Sequence, residues 1–231
     1  MRQIRLKSPA QIRKIRKSGE ILGTVLSRMA GMVEPGVLPV DLDRFARSFV
    51  EEHGARAAFL GYHGYPASIN VSVNDAVIHG IPGRTPLRSG DIVSLDMGVD
   101  LDGFISDSAI TVAVGHIAEE LVRLMQVTEE CLSLAIEQAR AGNRMNDIGA
   151  AVWDHATEAG YGVVVDYCGH GVGFAVHEPP EVRNFVARGP NPRLKAGMVL
   201  AIEPMINLGS GDVYVEDDGW TVKTVDGQAA A

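Results

Sequence analysis

The chain repeats its own punctuation at an offset of 106 to 107 residues, and few folds satisfy that constraint. Pro35-Gly36 leads into a helical stretch from Asp41-Leu42 to Glu52, closed by Gly54. Ala141-Gly142 leads into Asp147-Ile148 through Glu158, closed by Gly160. Each copy opens with a turn-favouring glycine and stops at a glycine suited to a left-handed cap. A longer amphipathic helix precedes each, near 8–33 and 117–140. The first begins with the start signal Ser8-Pro9 and carries Ile12, Ile15, Leu22, Val25 and Met29 at helical spacing. The second carries Leu121, Leu124, Met125, Thr128, Leu132, Ala135 and Ile136. Further on, Tyr62-His63-Gly64 corresponds to Gly169-His170-Gly171, and Ser89 to Asp96 corresponds to Ala196 to Glu203. Asp96 and Glu203 thus fill equivalent places, each an acid ending an apolar strand. Two copies of one αβ unit related by a pseudo-twofold would set two acidic strands side by side at the centre of an α/β (α+β) fold.

A second acid joins Asp96 through a hairpin. Ile92–Val99 and Phe104–Val112 read as β-branched, apolar strands around the turn residues Asp100 to Gly103. A turn centred between Leu101 and Asp102 would place Asp96 directly opposite Asp107, about 5 Å apart at Cβ. Like charges so opposed destabilise a sheet unless a cation lies between them, and hard cations take carboxylate oxygens. A solvated polar face is the alternative, and for the pair alone it is the commoner outcome.

The 231 residues are 46% hydrophobic and 22% charged, enough for a substantial core in a single domain over 1–231, with halves of about 8–115 and 116–231. A net charge of -8 argues against specific nucleic-acid binding. The start runs the other way: Arg2, Arg5, Lys7, Arg13, Lys14, Arg16 and Lys17 precede the first acid, Glu20. They read as a solvated helix face, with an anionic partner such as a ribosome as the alternative. Cys131 and Cys168 supply neither a disulfide framework nor a paired-cysteine zinc motif. No apolar run approaches the roughly 20 residues that span a bilayer, and no apolar core follows the basic start as in a signal peptide. A cytoplasmic, reducing setting is expected.

The repeat makes one further demand. Glu203 should have an acidic partner on a following strand, as Asp96 has Asp107. Val213–Val215 and Trp220–Val225 read as strands around the turn Glu216 to Gly219, and no acid follows on a long strand. Glu216, Asp217 and Asp218 sit in turn chemistry, where acids are mostly solvated.

Several ordered motifs now resemble type I (bacterial-type) methionine aminopeptidase. They are Gly61-Tyr-His-Gly-Tyr-Pro66, Ser72-Val-Asn-Asp75, His79-Gly-Ile-Pro82, Ser94-Leu-Asp-Met-Gly98 and Asp107-Ser108. Cys168-Gly-His-Gly171, His177-Glu-Pro179 and Ile202-Glu-Pro-Met205 complete the set. The likeness runs from about Ser8 to Val225. It implies the pita-bread fold, two pseudo-twofold halves around a central, mostly antiparallel sheet. It also implies removal of the initiator methionine from nascent polypeptides with a small second residue. A proline-type aminopeptidase of the same fold, or a catalytically impaired member that only binds, is the alternative.

By that resemblance two divalent ions (Co, Mn, Fe, Zn or Ni) are held by Asp96, Asp107, His170 and Glu203, with Asp107 shared. The family's fifth ligand is a glutamate on a final strand, and residues 1–231 contain no counterpart. The expectation is therefore a weakened first metal position and reduced activity. Paired cations activate water and polarise a carbonyl. Glu203 would move the proton. His177 would stabilise the oxyanion or amide, and His79 would lie near the substrate's N-terminal residue. Phe59, Tyr62, His63, Tyr65 and Trp220 align with the pocket for the methionine side chain. Asn70 and Val176 stand where relatives often have a cysteine and an aromatic. Cys168 reads as a buried neighbour of His170, because nothing near it in sequence supplies a base.

Overall fold

A computed structural model of the chain describes residues 3–231, so Arg2 of the basic cluster lies outside it. Helix α1 spans Pro9–Met32 and starts where Ser8 and Gln11 cap each other: the Gln11 amide donates to the Ser8 hydroxyl, and the Ser8 amide to the Gln11 side chain. Helix α2 follows at Pro39–Glu52. Five strands come next: β1 (Arg56–Ala57), β2 (Asn70–Val73), β3 (Ala76–Ile78), β4 (Ile92–Leu101) and β5 (Phe104–Ala113). The second half opens with α3 (Glu119–Gln138) and α4 (Met145–Glu158). It continues through β6 (Gly162–Val163), β7 (Gly169–Gly171), β8 (Glu178–Val182), β9 (Leu200–Ala201), β10 (Ile206–Asn207), β11 (Val213–Val215) and β12 (Val222–Thr224). Helices α2 and α4 have 14 residues each, and both their ends are offset by the repeat distance of 106. Gly54 and Gly160 adopt the left-handed φ, 70° and 88°, that their capping role requires.

Each helix pair covers its own core. Leu22, Val25 and Met29 of α1 and Leu42 and Phe49 of α2 pack on Val93, Leu95 and Met97 of β4. Leu124, Val127, Cys131 and Ala135 of α3 pack with Ile148 and Val152 of α4 and with Ile206. The buried stripe of α3 is rotated from the expected one, and Ile136 is 55% exposed. The facing helix α4 decides which side is buried, and a broad apolar surface on α3 leaves more than one choice open. Within the first core one polar contact is built in: the Ser18 hydroxyl donates to the Val99 carbonyl and lies 2.8 Å from that of Ser106.

All strand pairings are antiparallel among the described residues. β5 runs along one side of β4, while β1 and β2 share the other. The remaining sheets are β11–β12–β3, β8–β7–β9 and β10–β6. The expected hairpin register is corrected here. Asp96 stands opposite Ala109, and Asp107 opposite Gly98. The turn is the two-residue Asp102-Gly103, with φ of 55° and 78°, so every pair moves by two positions. Asp-Gly is the residue pair that this tight turn favours, because both positions need positive φ. A shift of two preserves the face, so Asp96 and Asp107 still point the same way, as diagonal neighbours.

Among the basic residues of α1, Arg13, Arg16 and Lys17 are exposed, as a solvated face requires. Residues 229–231 lie alongside β10: the Leu208 amide donates to Ala229, Ile206 and Ala231 exchange two hydrogen bonds, and the Ala230 amide donates to Asn74. No described helix is long and apolar enough to cross a membrane.

Candidate metal and active site

The strands that carry ligand-type side chains reach one point from two sheets. Asp96 and Asp107 come from the long hairpin, and His170 from the centre of β7. Glu203 comes from the segment just after β9. The glycines around His170 have a steric cause. A Cβ at Gly169 would run into the Ala201 carbonyl, and one at Gly171 into the Pro179 carbonyl. Only Gly-His-Gly fits a strand squeezed between β8 and β9 with one side chain pointing inward.

Ligand atoms of Asp107, His170 and Glu203 lie within 4.8 Å of one another. His170 Nε2 is 3.5 Å from Asp107 Oδ2 and 3.1 Å from Glu203 Oε1. Its other nitrogen, Nδ1, lies 2.9 Å from the Gly171 carbonyl. A carbonyl only accepts, so the proton sits on Nδ1 and Nε2 presents its lone pair to the centre. Asp96 lies beside Asp107, and its Oδ2 accepts a 2.7 Å hydrogen bond from the Asn70 amide. The Glu203 backbone is held by a buried residue, Asn184, whose side-chain amide donates to the Glu203 carbonyl at 2.8 Å.

The electrostatics of this cluster are unfavourable without a cation. Burial raises the Asp96 carboxyl, and the Glu203 charge raises it further. Asp107 is raised well above the carboxylate range by burial and then by Asp96 and Glu203. Burial works against a charged His170, yet the Glu203 carboxylate beside it lifts its pKa overall. Glu203 Oε1 is buried and lacks any partner in hydrogen-bonding geometry. An orphaned, buried carboxylate oxygen aimed at a histidine and a second carboxylate is the donor set a divalent cation takes.

Around this point sit the residues expected to meet substrate. The His177 ring packs edge-on against His170, 4.2 Å between centroids, and its Nδ1 is 2.8 Å from the Tyr62 hydroxyl. Its pKa is pushed down to about 4, first by partial burial and then by His170. Burial also lowers His79, against an opposing pull from Glu203. His79 takes a left-handed φ of 58° and is edge-on to Tyr167 and Trp220. Phe59 and Tyr65 form one apolar cluster with Ile105, Val172 and Val176, and Tyr62 and Trp220 pack against it. Tyr65 is oriented by hydrogen bonds from its hydroxyl to the Ile69 and Gly80 carbonyls. His63 borders this group from the solvent side, near enough for its charge to help lower His177. It stands exposed beside Tyr62, at a left-handed φ of 50° in the short turn Tyr62–Gly64.

The acids of the late turn are engaged locally. Asp218 accepts from the amides of Trp220 and Thr221 and from the Thr221 hydroxyl, and Glu216 pairs with Lys223 at 3.2 Å. Asp217 is exposed. Cys168 is half-buried with its thiol pKa raised, chiefly by burial, which keeps it protonated. Asn184 and the partners of Asn70 and Tyr62 were not legible in the sequence.

Comparison with known proteins agrees with this geometry. The model of metallopeptidase family M24 matches residues 13–223. The chain belongs to that family, in its methionine aminopeptidase branch. It is 49% identical to a methionine aminopeptidase of Clostridium perfringens over 226 residues, covering 98% of this chain and 91% of the relative. It superposes on the crystal structure of methionine aminopeptidase from Rickettsia prowazekii with a TM-score of 0.97 at 38% identity, covering 99% of this chain and 93% of that one. A prolidase from Pyrococcus furiosus shares the pita-bread fold alone, with a TM-score of 0.76 at 24% identity and 64% of its length covered. The expected fold class therefore holds.

Proposed function

We propose that this chain removes the initiator methionine from nascent polypeptides whose second residue is small. The observation that carries this reading is the convergence of Asp107, His170 and Glu203 beside the apolar cluster of Phe59, Tyr65 and Trp220. An apolar recess suits a thioether side chain. A substrate made on ribosomes places the activity in the cytoplasm.

Asp96, Asp107, His170 and Glu203 would hold divalent cations, with Asp107 between two positions. Such cations supply Lewis-acid stabilisation of charge on a carbonyl oxygen and make water more acidic. Asp107, His170 and Glu203 converge on one position, and Asp96 lies beside Asp107 at the other.

The chain's own residues supply the rest. Glu203 has an oxygen without a hydrogen-bond partner, placed to accept a proton from attacking water and return it to the leaving amine. With Tyr62 as the donor, its hydroxyl proton goes to Nδ1 of His177, 2.8 Å away. That leaves the proton of neutral His177 on Nε2, as a donor to the carbonyl oxygen where negative charge develops. Neutral His79 beside Trp220 borders the substrate's first residue.

Cleavage of Met-Ala-Ser with added divalent metal, and none of Xaa-Pro peptides, is the expected result. Cleavage of Xaa-Pro peptides with Met-Ala-Ser untouched would assign the chain to the proline-type branch.

A further inference from the structure

The basic N-terminus has a use that a solvated helix face does not explain. Lys7 is only 4% exposed, and its ammonium group lies 2.9 Å from Oε2 of Glu178, itself 5% exposed. Glu178 directly follows His177. Its other oxygen, Oε1, accepts from the backbone amides of Phe174 and Ala175, at 2.6 and 3.1 Å, and lies 3.2 Å from the Arg5 guanidinium. One buried carboxylate therefore closes the loop 173–178 on itself and ties that loop to the N-terminal strap.

The strap is fixed where it enters α1. The Lys7 amide donates to the Gly197 carbonyl at 2.7 Å, and α1 begins two residues later. Arg5 and Lys7 both lie over the Phe174 ring, at 4.8 and 5.2 Å. Gly173 takes a φ of 131°, and a Cβ there would meet Ile15 at 2.7 Å and the Lys7 stem at 2.9 Å. The Gly173 carbonyl accepts from Ile105, two residues before Asp107 on β5.

We propose that Lys7 is a positioning residue for His177: through the buried Lys7–Glu178 pair, the N-terminal strap sets the loop that aims the His177 imidazole at the substrate. The proposal rests on the aminopeptidase reading for its kinetic consequence. Lys7 touches none of Asp96, Asp107, His170 or Glu203, so its effect runs through His177 and not through cation binding. An unpaired buried Glu178 would pull toward water and take the Phe174 and Ala175 amides with it. Ångström-scale misplacement of a group that acts on the transition state costs up to about 100-fold in rate.

The test compares Lys7→Met, Lys7→Arg and the apolar pair replacement Lys7→Met/Glu178→Met, in the full chain and again in a His177→Ala background. Lys7→Met should lower kcat on Met-Ala-Ser by about 10-fold or more. KM and the Mn affinity by calorimetry should stay within about twofold, and Lys7→Arg should recover part of the rate. The NMR signal of the His177 ring should shift and broaden, and hydrogen exchange of the Phe174 and Ala175 amides should quicken. Neither of these readouts needs turnover, so they stand whether or not the substrate assignment does. In the His177→Ala background, Lys7→Met should cost almost nothing further. An equal loss in both backgrounds, an unmoved His177 signal, or a rate loss matched by an equal loss of Mn affinity would overturn the proposal. The double replacement keeps it testable if the unpaired carboxylate prevents Lys7→Met from folding.

Discussion

The Tyr62 hydroxyl lies 2.8 Å from Nδ1 of His177, across 115 residues of sequence. With the hydroxyl as donor, that contact puts the proton of a neutral imidazole on Nε2. Replacing Tyr62 with Phe keeps the ring and removes the donor. The expected outcome is a fall in kcat of about 10-fold, worth about 1.4 kcal/mol, with metal affinity unchanged. Nitrogen NMR of the ring should show the Nε2–H tautomer in the parent and a mixture in the variant. A parent that shows the Nδ1–H tautomer would remove the donor role given to His177.

Asn70 supports Asp96 in a comparable way. Its amide is buried and donates to Asp96 Oδ2 at 2.7 Å, fixing which carboxylate oxygen is left for a cation. Such supporting contacts are worth about 10- to 100-fold in metal affinity elsewhere. Asn70→Ala should weaken the Asp96 position by about 10-fold and leave the position of Asp107, His170 and Glu203 nearly intact. Calorimetry with Mn would separate the two. Equal binding in parent and variant would mean that Asp96 does not ligate.

Much of the candidate site was legible in the sequence because its ligand-type residues fall in local patterns. Asp96 and Glu203 each follow an apolar run at one repeat distance, and His170 sits between glycines that a crowded strand demands. The face shared by Asp96 and Asp107 was legible too, since a slip of two positions preserves it. The register was not, because Asp100 to Gly103 offers two turn centres and only backbone φ at Asp102 and Gly103 chooses between them. The contacts of Lys7, Asn70 and Asn184 carried no signal. Each acts through one contact to a residue distant in the chain (Glu178, Asp96 and Glu203 respectively), and no periodicity records such a pairing. The motif of His63 was clear, but the turn that leaves it exposed beside Tyr62 was not legible.

Gly98 links the hairpin to the substrate recess. It stands opposite Asp107, and a Cβ there would come within 2.7 Å of the Phe59 ring and 3.0 Å of Ala58. Gly98→Ala must displace Phe59 from the apolar cluster. Overpacking of this kind costs about 1–3 kcal/mol. The expected result is a lower thermal midpoint together with a higher KM for Met-Ala-Ser. A lower midpoint with KM unchanged would take Phe59 out of the methionine pocket.

The buried acids give metal-free protein a pH dependence of definite sign. Asp96 is raised from 3.8 to about 7 and Asp107 is raised as well, both mainly by burial. Between the unfolded and folded values, the folded chain holds more protons than the unfolded one. The stability these groups contribute is therefore complete below about pH 4 and is lost as pH rises toward 7, with a slope of at most about 1.4 kcal/mol per pH unit for each group. Glu178 is shifted the other way. Burial opposes its charge, but Lys7 and the loop amides outweigh burial, so its contribution falls away only at more acid pH. His177, lowered to about 4, and His79, also lowered, act in the opposite sense up to about pH 6.5, so the share of the acids is read by comparison with a variant. In chelator-treated protein the acids should pull the thermal midpoint down across pH 5 to 7. Asp96→Asn should flatten the slope, and Mn should reverse it, because a bound cation favours the ionised carboxylates. A pH slope in Asp96→Asn equal to that of the parent would show that the acids are not crowded together as the geometry of Asp96, Asp107 and Glu203 requires.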